Sequence, residues 1–319
     1  MKIGQISVLS GRAQQFLAKM LGIANLLQFV EFKLDTSLYN NIKDDGTFTG
    51  SAARAIGSAV QKDAQAPVLE SAALAAYGRE ISIDDVYKLD KNVGMAPAGL
   101  RILSDRRLGA LCVKLAEEIQ DDIINGTAAA NQMLGLLTFV ADAAAGGQTT
   151  RLGFTTAELA AMNYQVNLKI SNDLVDNQDT FVETLMKKIA EVPGANGIIC
   201  NTSFSARLTT IAKRKGAAGE TVNSFGVKVK TFDNRPIIEV PDAALPNTQS
   251  DGQNNDCTSM FIVRFAEELG LACSTNSGFY FQDFQDYETY PQGVARLQMF
   301  LNLSCERTDA LRRLSRIRL

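Results

Sequence analysis

The sequence contains no histidine in 319 residues. Histidine is the side chain whose unperturbed pKa lies nearest neutrality, so a Ser-His-Asp triad, a Cys-His pair and histidine-ligated zinc are all excluded. Cysteine is sparse: Cys112, Cys200, Cys257, Cys273 and Cys305 are odd in number, far apart and never in a CxxC pair. That spacing suits a reducing cytosol better than a disulfide framework. Excess charge is lacking too, with 32 Lys and Arg against 35 Asp and Glu and a net charge of −3. A protein that draws its main affinity from neutralising many phosphates needs clustered cations, and that class is excluded, although lying close to nucleic acid is not. No GxxxxGK[ST] or GxGxxG follows a strand pattern, and the acidic run DDVYKLDKN (84–92) lacks the ligand order and final Glu of a calcium loop. Long apolar runs are missing as well. The most apolar N-terminal stretch, Phe16 to Val30, is interrupted by Lys19, Asn25 and Gln28. It falls short of the ~20 apolar residues that span a bilayer, and no small-residue cleavage site follows it.

What is present is a chain that is 46% apolar, enough to fold without staples and long enough for two subdomains. Phe16, Leu17, Met20, Leu21, Ala24 and Leu27 recur at helical spacing. Two readings fit: a helix that packs on the chain's own core, or an arm that packs on another subunit. From Asp35 to Leu74 the residues turn small and polar, which predicts either an ordered excursion borrowing contacts from a neighbour or a mobile loop. YGREISIDDVY (77–87) then alternates as a half-buried strand should. The strongest helix signal follows at 104–126, with Ser104 as N-cap, an apolar stripe through Leu108, Leu111, Cys112, Leu115, Ile119 and Ile123, and Gly126 as the stop. After a Gly- and Ala-rich break at 141–147 the pattern becomes α/β. Thr180 and Glu183 predict a capping box for a helix with Phe181, Leu185, Met186 and Ile189 inward. GIIC, FGVKVKTF and RPIIEV read as strands, 242–256 as a long loop, and MFIVRF and VARLQMFLNL as further strands. The closing TDALRRLSRIRL predicts a short terminal helix whose arginines, Arg307, Arg312, Arg313, Arg316 and Arg318, form a solvated basic tip.

One turn has the residue types of a catalytic site. In GIICNTSFSARLTTIAKRKG (197–216) a thiol, an amide and a hydroxyl sit between a strand and a helix. Cys200 would need a base to become a nucleophile, and the usual base is absent from the protein. The alternative is a buried strand end with Asn201 or Thr202 capping the next helix. Asp283, Asp286 and Glu288 offer a second constellation, an acid and a base, but the surrounding Phe279, Phe281, Phe284, Tyr287 and Tyr290 suggest a strand edge or an interface.

The order of parts, with LAEEIQDDIING (115–126), GIICNTSFSARLTTIAKRKG, FGVKVKTFDNRPIIEV (225–240) and VARLQMFLNLSCERTDALRRLSRI (294–317), resembles the major capsid protein of tailed bacteriophages, the Hong Kong 97-type fold. The resemblance spans nearly the whole chain. It implies an α+β fold with an N-terminal arm (1–45), an extended loop (46–90), a peripheral domain with a long spine helix (91–179, the helix at Ser104 to Asn125), an axial domain (180–256) and a return to the peripheral domain (257–319). It implies a structural protein, not an enzyme, with no cofactor or metal, found in the virion and assembled in the host cytoplasm. The implied partners are further copies in pentamers and hexamers, a portal, a decoration protein and weakly contacted double-stranded DNA. If Met1 is the native start, a separate scaffolding protein or none is expected. The assembly-interface candidates are Phe16, Leu17, Met20 and Leu27 on the arm, and Tyr77, Arg79, Ile81 and Ile83 on the strand at the base of the loop. Three alternatives stand beside this: an encapsulin-like compartment of the same fold, a soluble α/β enzyme using the Cys200 turn, and a membrane-associated protein using the Phe16 to Val30 face.

Overall fold

The pentapeptide Gly197–Asn201 is buried along its whole length and forms the middle strand of the larger sheet. The computed structural model describes residues 18–22, 24–34, 39–43, 68–72, 74–84, 97–129, 132–142, 149–170, 175–223, 225–250, 252–276, 280–287 and 290–319. In chain order the strands are β1 (Phe32–Leu34), β2 (Tyr39–Lys43), β3 (Val68–Ala72), β4 (Ala75–Asp84), β5 (Asn163–Lys169), β6 (Gly197–Asn201), β7 (Ala218–Val222), β8 (Lys228–Phe232), β9 (Arg235–Val240), β10 (Cys257–Val263), β11 (Leu271–Thr275), β12 (Tyr280–Tyr287), β13 (Tyr290–Cys305) and β14 (Leu311–Arg318). The helices are α1 (Pro97–Asn125), α2 (Leu136–Phe139), α3 (Thr156–Met162), α4 (Val175–Ala190) and α5 (Thr202–Arg214). Among the described residues no helix is long and apolar enough to cross a membrane.

A seven-stranded sheet runs β5-β14-β10-β6-β9-β8-β7. Side chains alternate across a strand, so β6 sends Ile198 and Cys200 into a core with α4 and α5, and Ile199 into the main core on the other face. β10 divides in the same way, with Met260 and Ile262 on one side and Phe261 and Val263 on the other. Parallel strands buried on both faces read as continuous apolar runs, which is why GIIC has no polar alternation. The sheet does not stop at residues 180 and 256, since β5, β10 and β14 come from stretches that the resemblance assigned to the peripheral domain.

The second sheet is built on β13. Its residues 292–301 pair with β4 along one edge, while β12 and then β11 pair along the other, and β1 adds to β11 in parallel. α1 lies beside this sheet with Leu108, Cys112, Leu115, Ile119 and Ile123 buried, each large aliphatic contributing roughly 1.5–3 kcal/mol by removal from water. β2 and β3 form a separate hairpin in which Lys43 stands opposite Val68, so residues 44–67 leave and rejoin the body side by side. That segment and the 143–148 break lie outside the described residues.

Four local expectations are corrected. α1 starts at Pro97, so Ser104 lies within the helix and does not cap it; proline at a first helical turn, where its missing N–H is not needed, supplies the start signal. α4 starts at Val175, and Thr180 donates back to Asp176 O at 3.0 Å while Glu183 pairs with Lys187 at 2.6 Å. A T-x-x-E pair satisfies these mid-helix partners as well as a cap, and the true capping box is at Thr155 and Glu158 on α3. Met186 is exposed, unlike Phe181, Leu185 and Ile189. Finally, the closing residues form β14 and not a helix, and Arg313 is buried in it. Leu311, Leu314 and Ile317 are spaced as on a helix, but β14 carries one extra residue against β10, where Leu314 pairs with Met260 and Ile317 with Thr258, and Arg316 sits at φ +59°. The bulge brings Leu314 and Ile317 to one face of a strand although they are three apart.

Candidate assembly surfaces

The β6–α5 turn holds a shape. Asn201 Oδ1 accepts from Phe204 N at 2.7 Å and caps α5. Its Nδ2 donates to Leu245 O at 2.7 Å, Asn247 Oδ1 at 2.5 Å and Thr258 Oγ1 at 3.2 Å, tying the turn to the 242–256 loop and to β10. Ser203 bonds to Asp242 through both its backbone N–H and its hydroxyl. Cys200 is fully buried, and burial first, then the Glu239 carboxylate, pushes its thiol well up from the ordinary range. Every polar group of the turn is spent on neighbours, and a thiol in that setting is not a nucleophile. Asp283 and Asp286, the other pair considered for chemistry, lie on β12 at the end of the second sheet, and Glu288 falls outside the described residues.

The base of the extended loop is fastened to the body at two places. Tyr77 on β4 donates its hydroxyl to Asp122 Oδ2 on α1 at 2.7 Å and accepts from Met133 N at 3.2 Å. Burial pushes the Tyr77 phenol far up, and burial likewise raises the Asp122 carboxyl against the opposing pull of the Tyr77 bond. On the hairpin side, Lys43 Nζ reaches Glu158 Oε1 at 2.6 Å and lies 5.1 Å from the Phe154 ring, while Glu70 accepts from Gly153 N. Gly153 sits at φ +78°, a conformation that favours glycine, and a Cβ there would press on Val68 Cγ1 at 3.0 Å.

The candidate assembly residues divide in the structure. Met20 and Leu27 are fully buried within the subunit together with Leu21, Ala24 and Leu26, so the helical spacing of this stretch serves the chain's own core. Tyr77 is also buried. Arg79 is exposed and pairs with Glu118 of α1, a surface ion pair of the kind that contributes roughly 0–1 kcal/mol. Ile81 is half-buried against the main core, and Ile83 stands opposite Gly293 in the ladder. Phe16 and Leu17 lie outside the described residues. A surface that sequence reasoning missed is the far edge of the seven-stranded sheet. β7, AGETV, is exposed along its whole length; its last residue, Val222, is 59% exposed, and Phe225 and Val227 just beyond it are 39% and 48% exposed. An unpaired strand edge next to apolar side chains invites pairing with another chain. The alternation FGVKVKTF was visible, but which strand would be terminal depends on topology.

No protein-family model matches the chain, and no curated protein matches it either. Solved structures do match. The capsid of the empty GTA particle is 14% identical with a TM-score of 0.58, covering 98% of this chain and 92% of that one. The capsid of Myoviridae phage XM1 is 11% identical with a TM-score of 0.53, covering 92% of each chain. The SrpI encapsulin of Synechococcus elongatus PCC 7942 is 14% identical with a TM-score of 0.53, covering 92% of this chain and 87% of that one. Likeness at such identities is likeness of fold: the chain has the Hong Kong 97-type fold that these capsid and encapsulin subunits share.

Proposed function

We propose that the chain is the major capsid protein of a tailed bacteriophage, self-assembling into pentamers and hexamers of an icosahedral shell around double-stranded DNA. The observation that carries this reading is the extent of the fold likeness, which takes in 98% of the chain against the GTA capsid. α1 serves as the spine helix, β2–β3 as the root of an extended loop, and the α4–α5 side of the seven-stranded sheet as the axial part. Arg79, Ile81 and the exposed β7 edge supply contacts between copies, together with Phe16, Leu17 and Ile83. Each such contact is weak, at ~25 cal/mol per Å² of apolar surface removed from water, but closure of a symmetric shell multiplies them. A net charge of −3 suits a container that must not pin its DNA. In this reading the partners are further copies, a portal and a decoration protein, and the place of assembly is the host cytoplasm.

The encapsulin-like reading shares the fold, as the SrpI match illustrates, and has no better support than the capsid reading. Cargo separates the two. The full chain, purified by gel filtration and viewed by negative stain, is expected as closed shells or capsomers. Nuclease-protected DNA inside native particles supports the capsid, and a protein cargo supports the compartment. A monodisperse monomer at every concentration, salt and pH would overturn both.

A further inference from the structure

The charges of α1 are sorted by sign. Arg101, Arg106, Arg107 and Lys114 come first, with Asp105 the one acid among them, and Glu117, Glu118, Asp121 and Asp122 follow. No acid stands in the first turn and no base in the last, the reverse of the order that the helix dipole favours. Such an arrangement costs the isolated helix stability, so its reason lies outside the helix.

One face of α1 is in the core, and the other exposes Arg107, Ala110, Lys114, Glu117 and Asp121 at alternating steps of four and three residues. That is the spacing of a seam between two helices, although a buried seam would be apolar. Arg106 and Arg107 are exposed and make no ion pair among the described residues. At the other end, Glu117 takes up Lys114 at 2.6 Å and Glu118 takes up Arg79 of β4. Asp121 and Asp122 have only neutral donors: Asn125 Nδ2 at 2.8 Å for Asp121, and the Tyr77 hydroxyl at 2.7 Å and Gln132 Nε2 at 3.4 Å for Asp122. Burial first, and the Asp121 and Glu118 carboxylates after it, raise the Asp122 carboxyl against the Tyr77 bond. Two cations early on the helix and two anions at its end are thus left without an opposite charge.

We propose that the exposed face of α1 packs antiparallel on α1 of a second copy, across a two-fold axis passing beside Lys114, so that Arg107 of each copy faces Asp121 of the other. A two-fold contact needs a surface complementary to itself, and a helix with its charges sorted by sign meets that need only when its mate runs the opposite way. Arg107 and Asp121 stand equally far from Lys114 along the chain, roughly 10 Å to either side at ~1.5 Å per residue, which puts each guanidinium level with a carboxylate that it can grip with two donors. Lys114 meets its own copy at the axis, where a Glu117 from each helix lies one turn away and offsets the repulsion. Ala110 keeps the face low enough for the helices to approach. Charge matching of this kind sets orientation and register more than affinity, so the contact joins subunits that the shell already holds side by side. The inference rests on the shell reading.

The test uses the full chain in two arms. Lys114 is 72% exposed in its side chain and all five native cysteines are buried, so Lys114→Cys offers a single reactive thiol. In assembled particles a short bis-maleimide is expected to convert this variant mainly to covalent dimer, and in dissociated subunits at the same concentration to leave it monomeric. In the second arm, Arg107→Glu is expected to lose closed shells in negative stain, and Arg107→Glu with Asp121→Arg to regain them, while both melt like wild type. A role confined to the helix itself would move melting and not closure, and the second substitution would not rescue it. Closed shells in which Lys114→Cys stays monomeric, or Arg107→Glu chains that assemble as well as wild type, overturn this pairing and leave the shell reading standing. A chain that forms no particles under any condition overturns both.

Discussion

Asn201 makes four hydrogen bonds from one side chain: one caps α5 and three hold the 242–256 loop and β10 in place. Removing the cap costs about 1 kcal/mol, and stranding the buried Leu245 carbonyl adds about 1–3 kcal/mol. Asn201→Ala is therefore expected to destabilise the subunit by roughly 2–4 kcal/mol in urea unfolding, and Asn201→Asp to do little better, because a carboxylate cannot donate to Leu245 O. A loss under about 1 kcal/mol would remove Asn201 from the centre of this turn. The neighbouring thiol gives the second residue-scale prediction. All five cysteines are buried, and burial raises Cys112 and Cys273 to about 12. A thiol reagent at neutral pH is thus expected to label none of the five in the native protein and all of them in guanidinium. Fast labelling of Cys200 in the folded state would revive the enzymatic reading of its turn.

Between elements, the joints decide how the extended loop is carried. At the C-terminus of α1 the chain folds back so closely that a Cβ on Gly126 would meet Met133 O at 2.2 Å, and one on Gly135 would meet Gly126 N at 2.3 Å. Gly126→Ala is expected to abolish soluble folded protein, whereas alanine at the exposed Gly216, with nothing within 4 Å, should cost far less despite its φ of +70°. At the loop's root, burial would raise the Glu158 carboxyl, but the bonds from Lys43 and Thr155 outweigh it and hold it below the usual range. A depressed folded pKa gives stability that is present above the unfolded value, about 4.3 for Glu, and lost as pH falls through the lower folded one. Wild type and Lys43→Met should therefore differ in melting temperature near neutrality and converge as pH falls below the ordinary glutamate value of about 4.3; a constant gap would sink the claim. These joints also mark the limit of what could be read from residues alone. α1's stripe, the GIIC strand and the Asn201 cap follow from local spacing and were legible. The Tyr77 to Asp122 and Lys43 to Glu158 links join distant segments, and β14's bulge disguises a strand as a helix, so no local pattern announces them. Gly126 was legible as a helix stop, but its reason, a close backbone approach to Met133, was not.

At the scale of the whole molecule, the described part of the leading helical stretch packs on the chain's own core through Met20, Leu21, Ala24 and Leu27, so those side chains are not the surface left for neighbours. Met20, Leu26 and Leu27 are fully buried and thus cannot be the adhesive between copies. The fully exposed β7 with Val222, Phe225 and Val227 beside it is the strongest remaining candidate, since soluble proteins ordinarily cover or charge such an edge. Phe225→Asp places a charge where a neighbour would have to exclude water, yet touches none of the buried core. The variant is expected to melt within about 1 kcal/mol equivalent of wild type, as surface substitutions do, and to stop at small oligomers in gel filtration. Leu269→Asp is the control, because Leu269 is likewise exposed but belongs to the connection between β10 and β11. If Phe225→Asp still closes full-sized shells while Leu269→Asp does not, the contact lies on the β10–β11 side and the β7 edge is covered by something other than a second copy.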